Sequence, residues 1–267
     1  MVSPGTITAG ECRLRVCPCS EHICQLRLDF STFVLNQPDT STTTGVMTIG
    51  GIKSVEKTQC QTDIFSVTTP GNNAPPQICG TNTGEHMYLD SSEMCNELAF
   101  NIGTTTTVTR SWTIKITQYN CNFNNLAPDG CTQYFWGQTT DTVKTFNFSG
   151  GQHLASQDQN ICVRRERSYC RICWSRTAIG DFEVSGATTG PSGAGLFPTA
   201  ATFGCCNIGT KLSKVTNGYD CLIIPAPSKT GSTTLVAGQD GFCGGNLGTA
   251  AGTTAKTICC KFSFQNS

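Results

Sequence analysis

Cys24-Gln25-Leu26-Arg27-Leu28-Asp29-Phe30 is the stretch of sequence that decides the fold. Apolar and polar residues alternate along it, so every second side chain falls on the same face of an extended chain. The same period of two recurs at residues 62–67 and 111–116. We therefore predict a half-buried β-strand at each of these three places.

Strong turn signals separate these apolar bursts. They are Pro38-Asp39, Pro70-Gly71-Asn72-Asn73 and Gly103 with the threonine run that follows it. A helical period over more than a dozen residues is absent from the sequence. Many short strands with turns between them are typical of a sandwich or a barrel, so the sequence predicts an all-β protein.

The second half of the chain repeats this organisation. Apolar bursts recur at residues 143–148, 162–167, 182–184, 221–224 and 260–264. Between the two halves, residues 121–131 are rich in Asn, Pro and Gly and lack alternation, which indicates a linker. Because 267 residues suffice for two ordinary domains, we predict one domain at 1–124 and a second at 125–267. The second contains long Gly-, Ser- and Thr-rich loops at 186–204 and 228–252.

The 18 cysteines indicate the compartment. They are even in number, spread from Cys12 to Cys260, and not grouped in repeated four-ligand sets. We therefore predict disulfide bonds and an oxidising, extracellular location for a secreted protein. Since the first ten residues lack an apolar signal segment, we expect the numbering to begin inside a longer precursor. No stretch approaches the roughly 20 apolar residues of a membrane span.

The charge balance limits the kinds of partner. Eighteen basic residues offset 18 acidic ones, so no global field would attract nucleic acid or an anionic membrane, and we predict neither partner. One local run, residues 163–171, is basic. If that run is a strand, one face carries Arg165, Arg167, Tyr169 and Arg171, a patch that could hold a sulfated glycan or an acidic loop. The alternative is internal pairing with Asp158 or Asp220.

Several longer motifs together carry a resemblance. In the first half they are Leu26-x-Leu28-x-Phe30-x-x-Phe33, Cys60-x-x-Asp63-x-Phe65-x-Val67 and Cys79-Gly80. In the second half they include Cys131-x-Gln-Tyr134-Phe, Ile161-Cys-Val-Arg-Arg-Glu-Arg-x-Tyr-Cys170 and Phe242-Cys243-Gly-Gly-x-Leu247. Over nearly its full length the chain resembles the secreted tandem CUB-domain-containing proteins of the arthropod type.

The resemblance implies two disulfide-rich CUB-like β-sandwich (jelly-roll) domains in tandem. It implies one disulfide between Cys60 and Cys79 and another between Cys131 and Cys162. By analogy with the first domain, Cys205 or Cys206 is the candidate partner of Cys243. Compared with the family, the second domain ends abruptly, which leaves open whether its last sheet is closed by this chain or by a neighbouring one.

Calcium is the metal that the resemblance raises, because some CUB domains bind it. Asp63 occupies the middle position of that ligand pattern, but the segments that should supply the other carboxylates do not offer a matching set. Since calcium prefers six to eight oxygen ligands, several of them charged, we predict no cofactor. Asp63 is the candidate ligand if calcium does bind, and the alternative is a hydrogen-bonded loop anchor.

A zinc site and a catalytic site are also disfavoured, because the sequence lacks the full set of residues that either would need. Cys170-x-x-Cys173 has ligand spacing, but it lacks a second pair in its own domain, so disulfides are favoured over zinc. The chain has three histidines and no Gly-x-Ser-x-Gly motif, and His86 and His153 are read as structural. We predict that the protein is not an enzyme.

The sequon Asn147-Phe148-Ser149 makes Asn147 a candidate glycosylation site, although such a triplet also occurs by chance. The combined features predict a non-catalytic extracellular protein that assembles or adheres through contacts with other proteins, including self-assembly into an oligomer or filament. The alternative is a soluble module that recognises a glycan or protein in immunity or fertilisation.

Overall fold

A computed structural model describes residues 1–42, 56–70, 74–105, 107–178, 181–182, 221–225, 227–229, 241–242 and 258–261. The chain divides into two compact units. One comprises Met1–Met47 and Lys53–Glu166, and the other comprises Thr48–Ile52 and Arg167–Ser267. The described residues form 15 strands and one short 3-10 helix, so the all-β prediction is confirmed.

The first unit contains two three-stranded antiparallel sheets. In one sheet β2 (Ile23–Val34) lies between β6 (His86–Asp90) and β8 (Ser111–Asn120). In the other, β7 (Asn96–Ile102) lies between β1 (Gly10–Val16) and β5 (Asp63–Thr68). A short hairpin, β3 (Asp39–Thr42) with β4 (Glu56–Gln59), accompanies them.

The core consists of the inward side chains of both sheets. Leu26, Leu28 and Phe33 of β2 are fully buried together with Phe65 of β5 and Phe100 of β7. The ring of Phe33 lies 5.5 Å from that of Phe65, which is 4.7 Å from that of Phe100. Burying one such side chain stabilises the fold by roughly 1.5–3 kcal/mol. The residues that alternate in the sequence are therefore those that join the two layers.

The three predicted strands of the first half correspond to β2, β5 and β8. The observed β2 continues to Val34, beyond the predicted end at residue 30, because its pairing with β8 shifts between Phe30 and Thr32. Such a bulge lets the ladder continue across a break in strict alternation. Phe33 can then point into the core although it lies an odd number of residues from Phe30.

Residues 121–166 belong to the first compact unit. The predicted linker does lie between strands, but it is anchored to β2: the Gln25 amide donates to the Ala127 carbonyl at 3.1 Å and accepts from the Ala127 N–H at 2.8 Å. Beyond it, β9 (Cys131–Phe135) pairs in parallel with β10 (Asn160–Val163). A domain division at 124/125 remains a prediction.

One predicted strand of this region is wrong. Residues 143–147 form no strand and lead into the 3-10 helix Phe148–Gly150. Phe146 is nevertheless buried, with its ring 6.5 Å from that of Phe30 in the core of the sandwich. An apolar anchor in a loop gives the same local pattern as a strand, so the sequence alone could not distinguish them.

In the second unit the structure describes two small sheets. In one, β15 (Ile258–Lys261) lies between β11 (Arg171–Trp174) and β13 (Pro227–Lys229), and in the other β12 (Leu222–Ile223) pairs with β14 (Gly241–Phe242). The predicted strands at 221–224 and 260–264 overlap β12 and β15. The greater part of the predicted strand at 182–184 lies outside the described residues.

In the part of the chain that the structure describes, we find no helix that could cross a membrane.

Candidate functional site

Asp63 forms the main anchor at one end of the sandwich. It begins β5, its side chain is completely buried, and Arg110 donates to both carboxylate oxygens, from Nε at 2.8 Å and from Nη2 at 2.9 Å. The backbone N–H groups of Asn36 and Gly103 donate to the same carboxylate at 2.8 and 3.1 Å. One carboxylate therefore ties together the ends of β2, β5 and β7 and the residue that precedes β8.

This arrangement does not fit a calcium ligand. The guanidinium of Arg110 already supplies the positive charge beside Asp63, and both oxygens are used by N–H donors. Arg110 also donates to the carbonyls of Gly103 and Thr105, so those oxygens already have a cationic hydrogen-bond donor. The geometry is that of a hydrogen-bonded loop anchor, the alternative raised by the sequence. Across the described residues, no group of three or more His, Cys, Asp or Glu side chains is arranged to hold a metal.

Asn147 is a second buried polar anchor. Its Oδ1 accepts from the Thr81 N–H at 2.8 Å, and its Nδ2 donates to Gln37 Oε1 and to the Gln152 carbonyl at 3.0 Å each. Its backbone has a φ of 61°, a left-handed conformation that asparagine tolerates better than most residues. Gly80 packs so closely on the amide that a Cβ there would collide with it.

The glycosylation prediction at Asn147 therefore disagrees with the folded structure. The residue is fully buried, and the nitrogen that would carry the sugar donates two hydrogen bonds inside the protein. A glycan on that nitrogen would remove these donors and would require the surrounding loops to separate. The sequon arises here from a structural asparagine that happens to precede Phe-Ser.

A polar cleft of about 430 Å³ opens beside β6 and β9. Charged side chains of both signs line it, namely Arg27, Glu85, Asp141 and Lys144. His86, Tyr134, Phe135 and Trp136 form its remaining wall with short polar residues. The cleft combines aromatic surface with opposite charges, so it can accept a polar ligand or a side chain of a partner.

Burial is the main cause of the pKa shifts of two titratable groups in this cleft, His86 and Glu85. The His86 pKa is lowered to about 4, first by burial and then by the charge of Arg27. The imidazole is therefore neutral at pH 7. Its Nε2 lies 3.1 Å from both the backbone nitrogen and the carbonyl oxygen of Tyr134, and it accepts from the first or donates to the second according to its tautomer. Burial also raises the pKa of the Glu85 carboxyl, against the opposing hydrogen bond from Gln133 and the charge of Lys144. His86 thus joins β6 to β9 and does not present a free base.

Trp136 and Arg164 form the outer side of this region. The Arg164 guanidinium lies 5.4 Å from the centre of the Trp136 ring and donates to the Glu166 carboxylate. Glu166 also accepts the Gly137 N–H at 2.8 Å. This hydrogen bond is the largest cause of the lowered pKa of the Glu166 carboxyl, and Arg164 lowers that pKa further. These contacts fix the loop after β9 against the end of β10.

The basic run does not form the predicted strand face. Strand β10 ends at Val163 and β11 begins at Arg171, with turn and loop structure between them. Arg165 belongs to the first compact unit, whereas Arg167 and Arg171 belong to the second. The alternation that would align these side chains therefore does not apply, and a polyanion-binding role for them remains a prediction.

Four disulfides staple the described part of the first unit. They join Cys60 to Cys79 and Cys131 to Cys162, the two pairs that the resemblance implies, and Cys17 to Cys95 and Cys24 to Cys121. Cys173 and Cys221 are also disulfide-bonded. Cys12, Cys19 and Cys170 carry free, exposed thiols. The predicted partners Cys206 and Cys243 lie outside the described residues.

Sequence reasoning missed the cleft residues Glu85, Trp136, Asp141 and Lys144. They come from segments about 50 residues apart that meet where β9 packs beside β6. A spacing pattern gives no signal for such a pair of segments. The one available hint was His86, which the sequence correctly indicated as a structural histidine at a strand.

Fold and disulfides together define a disulfide-crosslinked, all-β protein. The model of the family described as the animal CUB domain matches residues 128–264, just over half of the chain. The chain therefore belongs to the animal CUB domain family. CUB domains are generally non-catalytic modules for extracellular protein–protein interaction.

Two further comparisons add nothing to this assignment. The chain is similar to a solved structure of the CUB1-EGF-CUB2 domain of human MASP-1/3, at 11% identity over 100% of this chain and 94% of that chain, with a TM-score of 0.30. A TM-score of that size supports no argument about fold or partners. No curated protein matches the sequence.

Proposed function

We propose that this chain is a secreted, non-catalytic assembly or adhesion protein that acts through tandem CUB domains of the arthropod type. The observation that carries the proposal is the combination of CUB family membership with disulfides that close both long and short loops of the first unit. Crosslinks of this kind stabilise a small sandwich in the oxidising environment outside the cell, where disulfides persist.

The contact surface of such a protein would be its loops and strand edges, held by a rigid core. Low net charge supports close packing of like chains, because 18 basic and 18 acidic residues leave no long-range repulsion between copies. The partners we propose are other extracellular proteins, including further copies of this chain.

Mass measurement tests this proposal. The full chain, purified under oxidising conditions, should form multimers in light scattering or native mass spectrometry across a concentration series, and reduction should shift that distribution towards monomer. A clean monomer in both conditions would contradict assembly.

A second candidate function is that of a soluble recognition module for a glycan or protein. The cleft beside β6 and β9 favours it, since Arg27 and Lys144 lie there with Glu85 and Asp141 around an aromatic wall. Binding of a sulfated oligosaccharide to the wild type, and its loss in Arg165→Glu/Arg167→Glu, would support the polyanion patch. Loss in Lys144→Glu alone would place binding in the cleft.

A further inference from the structure

Strand β1 is an edge strand of its sheet in the described part of the first unit. It pairs with β7 along its whole length, from Gly10 opposite Ile102 to Val16 opposite Asn96. Among the described residues, no strand pairs with its other side. Its first four residues, 10–13, are exposed. An uncovered edge of this kind offers a row of backbone N–H and C=O groups to another strand.

The charges on β1 are complementary to those of a second copy of the same strand. In an antiparallel pair related by a two-fold axis at Cys12, position 11 of each copy lies opposite position 13 of the other. Glu11 then lies opposite Arg13 of the second copy, and the same pair recurs on the other side of the axis. Both side chains are accessible, at 40% for Glu11 and 56% for Arg13. Within one chain Arg13 pairs with Glu11 at 2.7 Å and with Glu97 at 2.5 Å, so the contact between two copies would exchange the exposed Glu11 pair for one across the strands. Directly opposed charges of opposite sign favour such pairing.

The residue on the two-fold axis carries a free, exposed thiol. Directly opposed residues of antiparallel strands have Cα atoms about 4.5–5.5 Å apart. That separation lies within the roughly 4.4–6.8 Å that a disulfide spans. A symmetric β1 pair would therefore bring the two Cys12 Cα atoms to a separation that a disulfide can span.

We propose that β1 is a self-association edge through which two copies of this chain pair in antiparallel register centred on Cys12, where an interchain disulfide then forms. The oxidant is a small-molecule disulfide. One Cys12 thiolate displaces a small thiol from it, and the second Cys12 thiolate displaces the other. The balance is two protein thiols and one small disulfide giving one protein disulfide and two small thiols.

This inference rests on the proposed assembly function and names its contact surface. The partner is a second copy because a two-fold axis at Cys12 satisfies both features of the strand at once. It places Glu11 opposite Arg13 of the other copy, and it places the two Cys12 thiols opposite each other. A strand from an unrelated protein would need only the open edge and would derive no advantage from the Glu11 and Arg13 spacing.

The test uses the full chain incubated with oxidised glutathione and follows Cys12–Cys12 crosslinked peptide by mass spectrometry without reduction. A link between two copies of one residue is necessarily interchain. We expect it to form faster than links through Cys19, another exposed free thiol that follows β1 in the chain. Glu11→Arg places like charges opposite each other and should slow the Cys12 link about fivefold.

The double variant Glu11→Arg/Arg13→Glu restores opposite charges and should restore the wild-type rate. Arg15→Gln is the matched control, because position 15 lies opposite Ala9 in this register and should leave the rate unchanged. Equal rates at Cys12 and Cys19, or no recovery in the double variant, would overturn the β1 contact. Multimers that are linked through cysteines other than Cys12 would overturn the β1 contact but not the proposed assembly function. A chain that stays monomeric would overturn the β1 contact and the assembly function together.

Discussion

The guanidinium of Arg110 and the carboxylate of Asp63 form a two-pronged ion pair in the interior of the first unit, with 7% and 0% of their side chains exposed. The pair is separated by 47 residues in the chain. It closes the end of the sandwich because Asp63 also holds the N–H groups at the ends of β2 and β7.

Asp63→Asn should destabilise the protein by about 3–5 kcal/mol, because it leaves the buried Arg110 charge without its counterion. The measurement is the free energy of unfolding in urea. The double variant Asp63→Asn/Arg110→Met should lose less than the two single variants combined, since no charge is then left unpaired.

Glu11→Gln is the matched control for that experiment. It makes the same carboxylate-to-amide change in an exposed ion pair with Arg13, and it should keep the wild-type unfolding midpoint. An Asp63→Asn variant that also keeps this midpoint would show that the Asp63 pair does not hold the sandwich.

His86 should make stability depend on pH below neutrality. Its folded pKa of about 4 lies below the ordinary value of 6.5, so the unfolded state binds the proton first as the pH falls. Stability is therefore complete above pH 6.5 and decreases towards pH 4, by up to about 3 kcal/mol. Unfolding free energies between pH 4 and pH 8 measure this loss.

His86→Gln should flatten that part of the pH profile while keeping an amide that can accept from the Tyr134 N–H or donate to the Tyr134 carbonyl. The comparison is made between the two proteins at each pH, because Glu85, whose pKa is raised, changes stability in the opposite direction in both. Parallel profiles for wild type and variant would show that the imidazole does not titrate as described.

Asn147 should be unmodified in protein secreted from a eukaryotic cell. Its amide nitrogen is buried and donates two hydrogen bonds, so a glycan is incompatible with this fold. Peptide mass mapping with and without glycosidase tests this, and a sugar on Asn147 would contradict it. Ser149→Ala removes the sequon at an exposed position and should change neither mass profile nor stability, whereas Asn147→Ala should cost about 1–3 kcal/mol.

The disulfides should differ in their contribution according to the loops they close. Cys24–Cys121 spans 97 residues and Cys60–Cys79 spans 19. Replacing the first pair with alanine should cost about 4–5 kcal/mol and replacing the second about 3 kcal/mol, on the chain-entropy relation. Chemical unfolding of the two double variants measures these costs, and a larger loss for the shorter loop would contradict the relation.

Among the described residues, the strands before residue 121 follow the sequence pattern more closely than the segment at 143–148. Strong alternation around Leu26, Ile64 and Ile114 marks strands whose inner faces are buried and whose outer faces are not. Phe146 gave a similar local pattern but lies in a loop, because a buried anchor and a buried strand residue look alike over a few positions. The cleft could not be predicted, since Glu85 and Lys144 share neither a strand nor a spacing.

The sequence by itself determined the all-β class, the positions of the main core strands, and a cysteine content suited to disulfides. Those properties follow from local alternation and composition, which each segment carries independently of its neighbours. Only the tertiary structure decided that Asp63 is satisfied by Arg110 and that Asn147 is enclosed by the loops around Gly80 and Gln152. Whether a polar side chain binds a ligand or a neighbouring residue depends on which donors from distant parts of the chain reach it. The periodicity of the sequence specifies the face of the strand on which a residue lies, but it does not specify the residue that contacts it there.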